Sequence, residues 1–331
     1  MLPDTTAPIT ESEMRTAMTT IMNGEAADTQ IAPFLTAMND RGESVEEITG
    51  AAKAMREKVI PINAPYGAVD CCGTGGDASG TYNISTAVAL IAASCGVPIA
   101  KHGNRAASSK SGAADVLEAL GVNLDLPPDR LEEALKLYNF AFLMAPNHHP
   151  SMKHVAPVRK QLGRRTIFNL LGPLANPAGT RLQLIGVYDE KWLIPMAETL
   201  QKLGTKRAWV VHGTDGLDEI TTTAETKIAI LDEGQITTKT LSPDDFGLPT
   251  AAPESLKGGD ADENATALRA LLEGRQCSYR DIALANAAAV LLIAGKAETL
   301  KEGVALAAAE IDSGHTYQTL KDYIQFTREA L

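Results

Sequence analysis

The chain has few cysteines, no long apolar run and no excess of positive charge, and each of these excludes a class of protein. Its four cysteines among 331 residues form neither a zinc-binding pattern nor a disulfide framework. No apolar stretch reaches the length of a transmembrane helix, and the N-terminus lacks the basic and apolar regions of a signal peptide. The net charge of −11 argues against nucleic acid or an anionic membrane as a partner, since both need a basic face. We therefore expect a cytoplasmic globular protein that folds without disulfides or a structural metal.

The hydrophobic pattern divides the chain into two parts. From Ile9 to about Pro61 apolar residues recur at helical spacing, whereas from Val69 onward short β-rich runs alternate with helical stretches. Such alternation is typical of a mostly parallel sheet flanked by helices. We predict an α/β protein with a small helical domain over residues 1–65 and a large α/β domain over residues 66–331. Helix-start signals occur at Thr10, Asp28 and Ser44. Predicted strands cover residues 68–72, 97–100, 182–187, 207–212 and 227–231.

Two later stretches are predicted to be helical. Residues 151–175 carry a cluster of basic side chains and could pack back on the N-terminal helices, leaving a cleft between the two domains. The part from Asp262 to the C-terminus is rich in alanine, with Tyr279 at the start of a long apolar helix. We interpret that part as structural and assign no chemistry to it.

The first of two glycine-rich loops spans residues 73–77 (GTGGD) between a predicted strand and a predicted helix. Glycine lets backbone N–H groups turn toward an anion, and the first turn of a helix adds about half a positive charge. Capping the helix would need one polar side chain, but several crowd residues 81–86. We therefore favour phosphate or diphosphate binding over a plain tight turn. The glycine order differs from the dinucleotide-binding and P-loop signatures, which disfavours a dinucleotide or a nucleoside triphosphate.

The second loop, residues 101–112, adds the cations Lys101, Arg105 and Lys110. It directly follows a predicted strand, and ligands of open α/β sheets bind beyond the carboxyl ends of the strands. We therefore favour an anion site over a solvated surface turn, although His102 could serve only to orient the loop. Two such loops predict two phosphate-like groups on one small ligand.

Further candidates remain open on spacing alone. Asp218 and Glu219 follow a predicted strand and suit a hard cation such as Mg²⁺, but an ordinary acidic turn explains them equally well. Arg159 could clamp a substrate carboxylate with its planar guanidinium, although surface ion pairing is the commoner fate of arginine. The histidines near Pro150 lack the spacing that puts two imidazoles on one helix face, so a zinc site is disfavoured.

Taken together, these segments resemble anthranilate phosphoribosyltransferases, enzymes of tryptophan biosynthesis, nearly from end to end. Members of that family have a small helical domain on an α/β domain and are usually homodimers. They are glycosyltransferases (pentosyltransferases) that join 5-phosphoribosyl 1-diphosphate to the amine of anthranilate and release diphosphate, using magnesium. The joint order of the matching motifs is highly specific. They are GTGGD (73–77), NIST (83–86), KHGNR (101–105), SGAADVLEALG (111–121), NLLGPLANP (169–177) and DGLDE (215–219).

The resemblance also implies roles for individual residues. The diphosphate side of the sugar substrate would be bound by Gly73, Gly76, Asp77, Thr81, Asn83, Ile84, Ser85 and Thr86. The rest of that substrate would be lined by Lys101, His102, Gly103, Asn104, Arg105, Ala106, Ala107, Ser108 and Ser109. Magnesium would be held by Ser85, Asp218 and Glu219. Anthranilate would meet Gly73, Asn104 and Arg159, with His102 and His149 nearby. The residues expected to matter most for catalysis are Lys101, Asp77 and Arg159.

One position departs from the family pattern. Ala113 stands where many members carry serine, so a hydroxyl contact to the sugar substrate could be lost there. Because the backbone N–H survives that change, we expect little effect on binding.

Three other functions compete with this one. A pyrimidine nucleoside phosphorylase would share the fold, but its second signature, SGRGLGHTGG, has no equivalent here. A relative acting on another aromatic amine, or binding nucleic acid, is a second possibility, and the acidic net charge weighs against nucleic acid. A regulatory protein that binds the sugar diphosphate without turnover is the third, and the presence of residues for both substrates favours an enzyme over it.

Overall fold

One seven-stranded sheet organises the structure, a computed structural model that describes residues 1–77, 79–106 and 110–329. The strands are β1 (Val69–Gly73), β2 (Ile99–Gly103), β3 (Phe140–Met144), β4 (Leu182–Gly186), β5 (Arg207–Gly213), β6 (Thr226–Asp232) and β7 (Gln235–Leu241). Their spatial order is β3-β2-β1-β4-β5-β6-β7. The first five run parallel, and β6 and β7 add an antiparallel hairpin at one edge. The predicted mostly parallel α/β fold with N-terminal helices is thus confirmed.

Helices cover both faces of this sheet. Those before β3 are α1 (Glu11–Met22), α2 (Asp28–Arg41), α3 (Val45–Glu57), α4 (Ile84–Ser94), α5 (Ala113–Leu120) and α6 (Pro128–Tyr138). Those between β3 and β5 are α7 (Ala145–His148), α8 (Ala156–Leu162), α9 (Phe168–Leu171) and α10 (Leu193–Lys202). The C-terminal helices are α11 (Ala261–Leu272), α12 (Ser278–Ile293), α13 (Leu300–Asp312) and α14 (His315–Glu329). Short 3-10 helices occur at Pro150–His154, Glu190–Trp192, Pro243–Phe246 and Pro253–Leu256.

The three N-terminal helices begin where the sequence predicts. Thr10 and Ser44 each form a capping box, in which the hydroxyl accepts from the backbone N–H three residues on and the glutamate there reaches back. Helix α2 begins at Asp28, but its cap is Ala27, which has no side-chain acceptor. Gln30 compensates in part, because its side-chain oxygen accepts from the Ala27 N–H at 3.2 Å.

Two apolar cores lie on opposite faces of the sheet. One core joins β1, β2 and β3 to α4, α5, α12 and α14. The other joins α1, α2 and α3 to α8, α9 and α10 and to the opposite face of β4, β5 and β6. The helical stretch after β3 contacts the N-terminal helices, through α2 with α8 and α3 with α9. Because the N-terminal helices share a core with the sheet, a domain boundary at residues 65 and 66 stays a prediction.

The strands differ from the sequence prediction in two ways that matter for function. β2 extends to Gly103, so Lys101 and His102 lie inside the strand and not in the loop after it. β3 and β7 were not predicted, since Phe140–Met144 is a short apolar run and Gln235–Leu241 is an exposed polar edge strand. Of the residues described, none belongs to a helix long and apolar enough to cross a bilayer.

Candidate active site

The carboxyl ends of β1, β2, β4 and β5 lie side by side at the carboxyl edge of the sheet, which is the edge formed by the strand ends. Each of these strands ends in glycine. Two of these glycines make room for Asp218 in the loop after β5. A Cβ atom on Gly73 would lie 2.3 Å from the Asp218 Oδ2 atom, and one on Gly186 would lie 1.5 Å from its carbonyl oxygen. Glycine at position 186 therefore lets the loop backbone cross β4, and glycine at position 73 leaves room for the Asp218 carboxylate.

The carboxylates of Asp218 and Glu219 lie at the centre of this edge. Asp218 Oδ2 accepts a hydrogen bond from the Gly75 N–H at 2.8 Å, and Glu219 accepts one from the Ser85 N–H. Burial, with the nearby Asp77 carboxylate, raises the pKa of Asp218 to about 7. Burial and the Asp218 charge hold the pKa of Glu219 well above its ordinary value. Both raised pKa values favour the protonated acids, so a bound cation would be needed to hold the two groups as carboxylates near pH 7.

Helix α12 fixes the loop that carries these carboxylates. The Asn286 side-chain oxygen accepts from the Ile220 N–H at 2.9 Å, and its amide donates to the Ile220 carbonyl at 2.8 Å. Asn286 is fully buried, so this pair of hydrogen bonds holds the residue after Glu219 in a single position.

Lys101 supplies the positive charge beside the carboxylates. Its side chain is 1% exposed, and Nζ donates to the Cys71 carbonyl at 2.7 Å and to the Ser85 hydroxyl at 3.1 Å. A buried ammonium is stable only when its donors are satisfied. Two of its three donors are used by the protein, so a ligand oxygen could complete the set.

The start of α4 faces the same region. Asn83 is the helix cap, and its side chain makes no capping hydrogen bond. The first-turn N–H groups of Ile84 and Thr86 donate instead to the carbonyls of Tyr82 and Asn83, so α4 offers an anion the positive end of its dipole. The Thr86 hydroxyl is fully buried and has no hydrogen-bond partner among the described residues. Ile84, between them, is buried in the core, so only its backbone can take part in binding.

The loop after β2 is held by Asp115 of α5. Asp115 Oδ2 accepts from the N–H groups of Ala106 and Gly112, each at 2.9 Å. Arg105 bonds to Glu118 at 2.7 Å and to Asp115 at 3.2 Å. Its guanidinium is thus occupied by protein carboxylates and organises the loop.

Other predicted residues of this loop lie at its two ends. The Asn104 carbonyl accepts from the Ala114 N–H at 3.2 Å, and Asn104 itself is exposed. Ala113 is the first residue of α5, next to Gly103, where a Cβ atom would lie 3.5 Å from the Ala113 methyl. The predicted site residues Ala107, Ser108 and Ser109 lie outside the described residues.

His102 and His149 form a buried pair on the other side of β2. Their ring centroids are 5.1 Å apart, and the two side chains are 5% and 3% exposed. His102 Nδ1 lies 3.0 Å from the Gly172 carbonyl, and His149 bonds to the Ala175 carbonyl. Because a carbonyl only accepts, each histidine carries its proton on that side. Both Nε2 atoms are then acceptors, and neither has a partner among the described residues.

These imidazoles are neutral near pH 7. Burial, with a contribution from His149, lowers the pKa of His102 to about 3. Burial, with a contribution from His148, lowers the pKa of His149 to about 4. His148 turns away from the pair and bonds to the Ile60 carbonyl at 2.8 Å. No zinc-like arrangement of these histidines is found within the described parts of the chain.

Arg159 and Arg165 come from the basic stretch that packs against the N-terminal helices. Arg159 lies on α8 with its guanidinium carbon 5.4 Å from the Phe168 ring centroid, and burial lowers its pKa. No carboxylate of the described residues forms an ion pair with it. Arg165 donates to the Gly76 carbonyl in the glycine loop and stacks 4.1 Å over the Tyr188 ring. No sequence pattern indicated that Arg165 would reach the glycine loop.

The structure thus brings most of the predicted residues to one edge of the sheet, in two groups. The first group surrounds Lys101 and includes Gly73, Asp77, Ser85, Asp218 and Glu219. The second contains His102 and His149, and Arg159 follows His149 by ten residues through the Pro150–His154 turn and α8. After the ligand groups that the sequence predicts for them, we call them the phosphate half-site and the amine half-site.

The donor set fits a hard divalent cation only with help from a ligand. Asp218 and Glu219 offer carboxylate oxygens and Ser85 a hydroxyl, which are oxygen ligands of the kind that Mg²⁺ prefers. Within the ranges that the structure describes, no three histidine, cysteine or acidic side chains converge as a self-sufficient metal site. Magnesium characteristically takes one or two carboxylates together with substrate phosphates, and the cluster matches that pattern.

Comparisons with known proteins give the same family over nearly the whole chain. Residues 65–317 match the family model described as glycosyl transferase family, a/b domain, and residues 5–59 match that family's helical bundle domain. Anthranilate phosphoribosyltransferase from Chelativorans sp. (strain BNC1) is 53% identical over 96% of this chain and 94% of its own length. The one from Rhodospirillum rubrum is 56% identical over 95% of this chain and 90% of its own.

Solved structures show the same likeness. The crystal structure of anthranilate phosphoribosyltransferase from Thermus thermophilus aligns with a TM-score of 0.93 and 46% identity, covering 98% of this chain and 97% of that one. The enzyme from Saccharomyces cerevisiae in complex with PRPP and Mg aligns with a TM-score of 0.88 and 28% identity, covering 97% and 94%.

Proposed function

The chain belongs to the anthranilate phosphoribosyltransferase family of glycosyl transferases, and from that membership we propose how its residues carry out the reaction. The enzyme transfers the 5-phosphoribosyl group of 5-phosphoribosyl 1-diphosphate (PRPP) to the amine of anthranilate. The products are N-(5-phosphoribosyl)anthranilate and diphosphate, in the second step of tryptophan synthesis from chorismate. The phosphate half-site and the amine half-site take different parts of that chemistry.

We propose that the phosphate half-site binds PRPP and stabilises the departing diphosphate. The observation that carries this assignment is the buried Lys101, which bonds to Ser85 at the N-terminus of α4 beside two crowded carboxylates. As the bond to the anomeric carbon breaks, negative charge builds on the leaving diphosphate. Lys101 has one donor left for that charge after its bonds to Cys71 and Ser85, and the positive end of the α4 dipole lies beside it. Groups fixed in advance stabilise such charge without reorganisation.

Asp218, Glu219 and Ser85 are the residues that would hold Mg²⁺. When bound there, Mg²⁺ would supply positive charge to the diphosphate. The Gly75 N–H holds Asp218 and the Ser85 N–H holds Glu219 in place. These carboxylates therefore stay oriented for metal-bound PRPP.

We propose that the amine half-site orients anthranilate. Arg159 is largely buried without a carboxylate partner among the described residues, so a substrate carboxylate would complete it with charge-assisted hydrogen bonds. The open Nε2 acceptors of His102 and His149 suit the N–H groups of the amine. With pKa values of about 3 and 4, these imidazoles are weak bases that position the amine and do not ionise it. An aromatic amine is already neutral near pH 7, so it can attack without prior deprotonation once it is oriented. The proton that the nitrogen loses after the C–N bond has formed can pass to the departing diphosphate or to water.

The decisive experiment follows anthranilate fluorescence with purified protein, PRPP and Mg²⁺. Loss of fluorescence that requires both PRPP and Mg²⁺ is the expected result. Fluorescence that stays constant while PRPP binds would instead point to another amine acceptor or to a binding role. The same assay without PRPP is the control for photobleaching.

The cytoplasmic location and the homodimer remain predictions from the sequence and the family. Light scattering on the purified protein measures the assembly directly. A dimer would have twice the 35.0 kDa mass of one chain.

A further inference from the structure

A short segment far along the chain pairs with the loop that leads into α4. Thr81 and Lys257 form an antiparallel β-bridge, and the Tyr82 N–H donates to the Leu256 carbonyl at 3.1 Å. The sheet does not extend to these residues, so the pairing serves the loop alone. We call residues 256–264 the clamp segment.

Close approach at this bridge depends on Gly258. Its N–H donates to the Gly80 carbonyl at 2.9 Å. A Cβ atom there would lie 2.7 Å from the Asn264 side-chain oxygen and 2.9 Å from the Thr81 carbonyl. Any side chain at position 258 would therefore push the clamp segment away from the loop.

Asn264 connects the clamp segment to the start of α4. It is 2% exposed; its side-chain oxygen accepts from the Gly259 N–H at 2.8 Å, and its amide donates to the Asn83 side-chain oxygen at 2.9 Å. The Asn83 amide in turn donates to the Ser111 carbonyl at 3.2 Å, in the loop after β2. One series of hydrogen bonds thus joins α11, the loop before α4 and the loop after β2.

Tyr279 of α12 adds a second support. Its hydroxyl donates to the Asn83 carbonyl at 3.0 Å. Its ring stacks on Tyr82 with centroids 4.5 Å apart and planes inclined by 17°. Tyr279 is 2% exposed, so it fixes Asn83 from the protein interior.

We propose that Asn264 and Tyr279 are positioning residues for PRPP, which act by holding Asn83 where the two anion-binding loops meet. This proposal rests on the proposed function, since PRPP is the ligand that the loops receive. It also adds a role to the substrate contact expected of Asn83. One N–H and one lone pair of its side-chain amide are used within the protein, so the side chain joins the two loops as well. Loops held in advance lose less entropy on binding.

Asn264→Asp is the sharpest test. The aspartate keeps the acceptor for the Gly259 N–H and loses the donor to Asn83. We expect the Kd for PRPP, measured by calorimetry with Mg²⁺, to rise on the order of 10-fold, and the KM for anthranilate to change by less than about 2-fold.

Tyr279→Phe keeps the ring stacking and loses one hydrogen bond. It should raise the Kd for PRPP by roughly 2- to 13-fold, the equivalent of one net hydrogen bond.

Tyr323→Phe is the matched control. Tyr323 is 1% exposed and its hydroxyl accepts from the Phe142 N–H at 3.1 Å, away from the clamp segment. Removing that hydroxyl should lower the melting temperature without changing PRPP affinity. A Tyr279→Phe variant that behaves like this control would show that Tyr279 is only structural.

Hydrogen exchange of the ligand-free protein separates failure of this proposal from failure of the proposed function. In Asn264→Asp, backbone amides of residues 79–86 should exchange faster than in the wild type, whether or not anthranilate is consumed. Unchanged exchange there, with wild-type PRPP affinity, would overturn the clamp. Faster exchange in a protein that never binds PRPP would retain the clamp as a loop support and overturn both its PRPP role and the proposed function.

Discussion

The phosphate half-site and the amine half-site differ in how their polar groups are occupied by the protein itself. In the first, Lys101 is bonded to Cys71 and Ser85, and the two carboxylates accept backbone N–H groups. In the second, His102 and His149 each keep an open acceptor. The phosphate half-site is a hydrogen-bonded network already assembled, whereas the two buried imidazoles of the amine half-site are neutral and their Nε2 acceptors have no donor among the described residues.

Strand β2 produces this division. Side chains of successive strand residues point to opposite faces of a sheet, so Lys101 reaches the α4 side and His102 reaches Gly172 on the other. Neighbouring residues of one strand therefore serve different tasks. Lys101 stabilises charge on the leaving group, and His102, on the other face, orients the neutral amine. Variants in the two half-sites should consequently affect different kinetic constants.

The largest effect is expected for Asp218→Asn combined with Glu219→Gln. Both amides are close in size to the carboxylates, so the fold should survive, while the magnesium ligands are lost. We expect turnover to fall by about 1000-fold or more, the equivalent of several kcal/mol of charge stabilisation. Steady-state assays over a range of Mg²⁺ concentrations measure the loss, with circular dichroism as the check on folding. Near-normal turnover at ordinary Mg²⁺ would remove the carboxylates from the metal site.

Arg159→Ala probes the other side of the comparison. We expect the KM for anthranilate to rise roughly 10- to 150-fold, because hydrogen bonds to a charged group are worth about 1.5–3 kcal/mol. The KM for PRPP should stay within about 2-fold of the wild type. Lys160→Ala, which removes an exposed cation from the same helix, is the matched control and should change neither constant. An equal rise in both constants would mean that the half-sites are not separate.

The sequence predicts the phosphate half-site better than the amine half-site, for a physical reason. Glycine loops, hydroxyls at a helix start and adjacent carboxylates are local patterns, and the anion chemistry can be inferred from the residues within each pattern. His102 and His149 are 47 residues apart along the chain and meet only because β3 pairs beside β2. Since β3 is a short apolar run without a distinctive period, the pattern does not predict that pairing, and only the resemblance to the family placed the two histidines near one substrate.

The clamp segment shows the same limit at longer range. Asn264 and Asn83 are separated by 181 positions, and the C-terminal helices were interpreted as structural. The pair Gly258-Gly259 just before α11 is a signal of close backbone approach. The glycine pair does not identify the segment that approaches it, and only the folded chain shows that this segment is the loop before α4.

The buried histidines of the amine half-site should make the free energy of unfolding fall as the pH is lowered. His102 and His149 have pKa values of about 3 and 4 in the folded protein, against about 6.5 in the unfolded chain. Below pH about 6.5 the unfolded chain therefore binds protons that the folded protein excludes. Each histidine should then cost up to roughly 1.4 kcal/mol of stability per pH unit, until the pH reaches its folded pKa. Urea unfolding at pH 7 and pH 5 measures this loss.

The same measurement on His102→Asn tests the assignment, because this variant should flatten the decline between pH 7 and pH 5. If His102→Asn declines as steeply as the wild type, the buried imidazole is not the group that titrates.

The smallest effect is expected from Thr86→Val. This variant separates a hydroxyl that binds the diphosphate from a buried hydroxyl that only costs stability. The Thr86 hydroxyl is buried without a partner among the described residues, and an unsatisfied hydroxyl costs stability unless a ligand uses it. Valine has the same shape, so the melting temperature without ligand should stay the same or rise. If the hydroxyl donates to the diphosphate, the Kd for PRPP should rise by roughly 2- to 13-fold, while the KM for anthranilate stays unchanged. A more stable variant with wild-type PRPP affinity would limit the phosphate half-site to Lys101, the carboxylates and the backbone N–H groups.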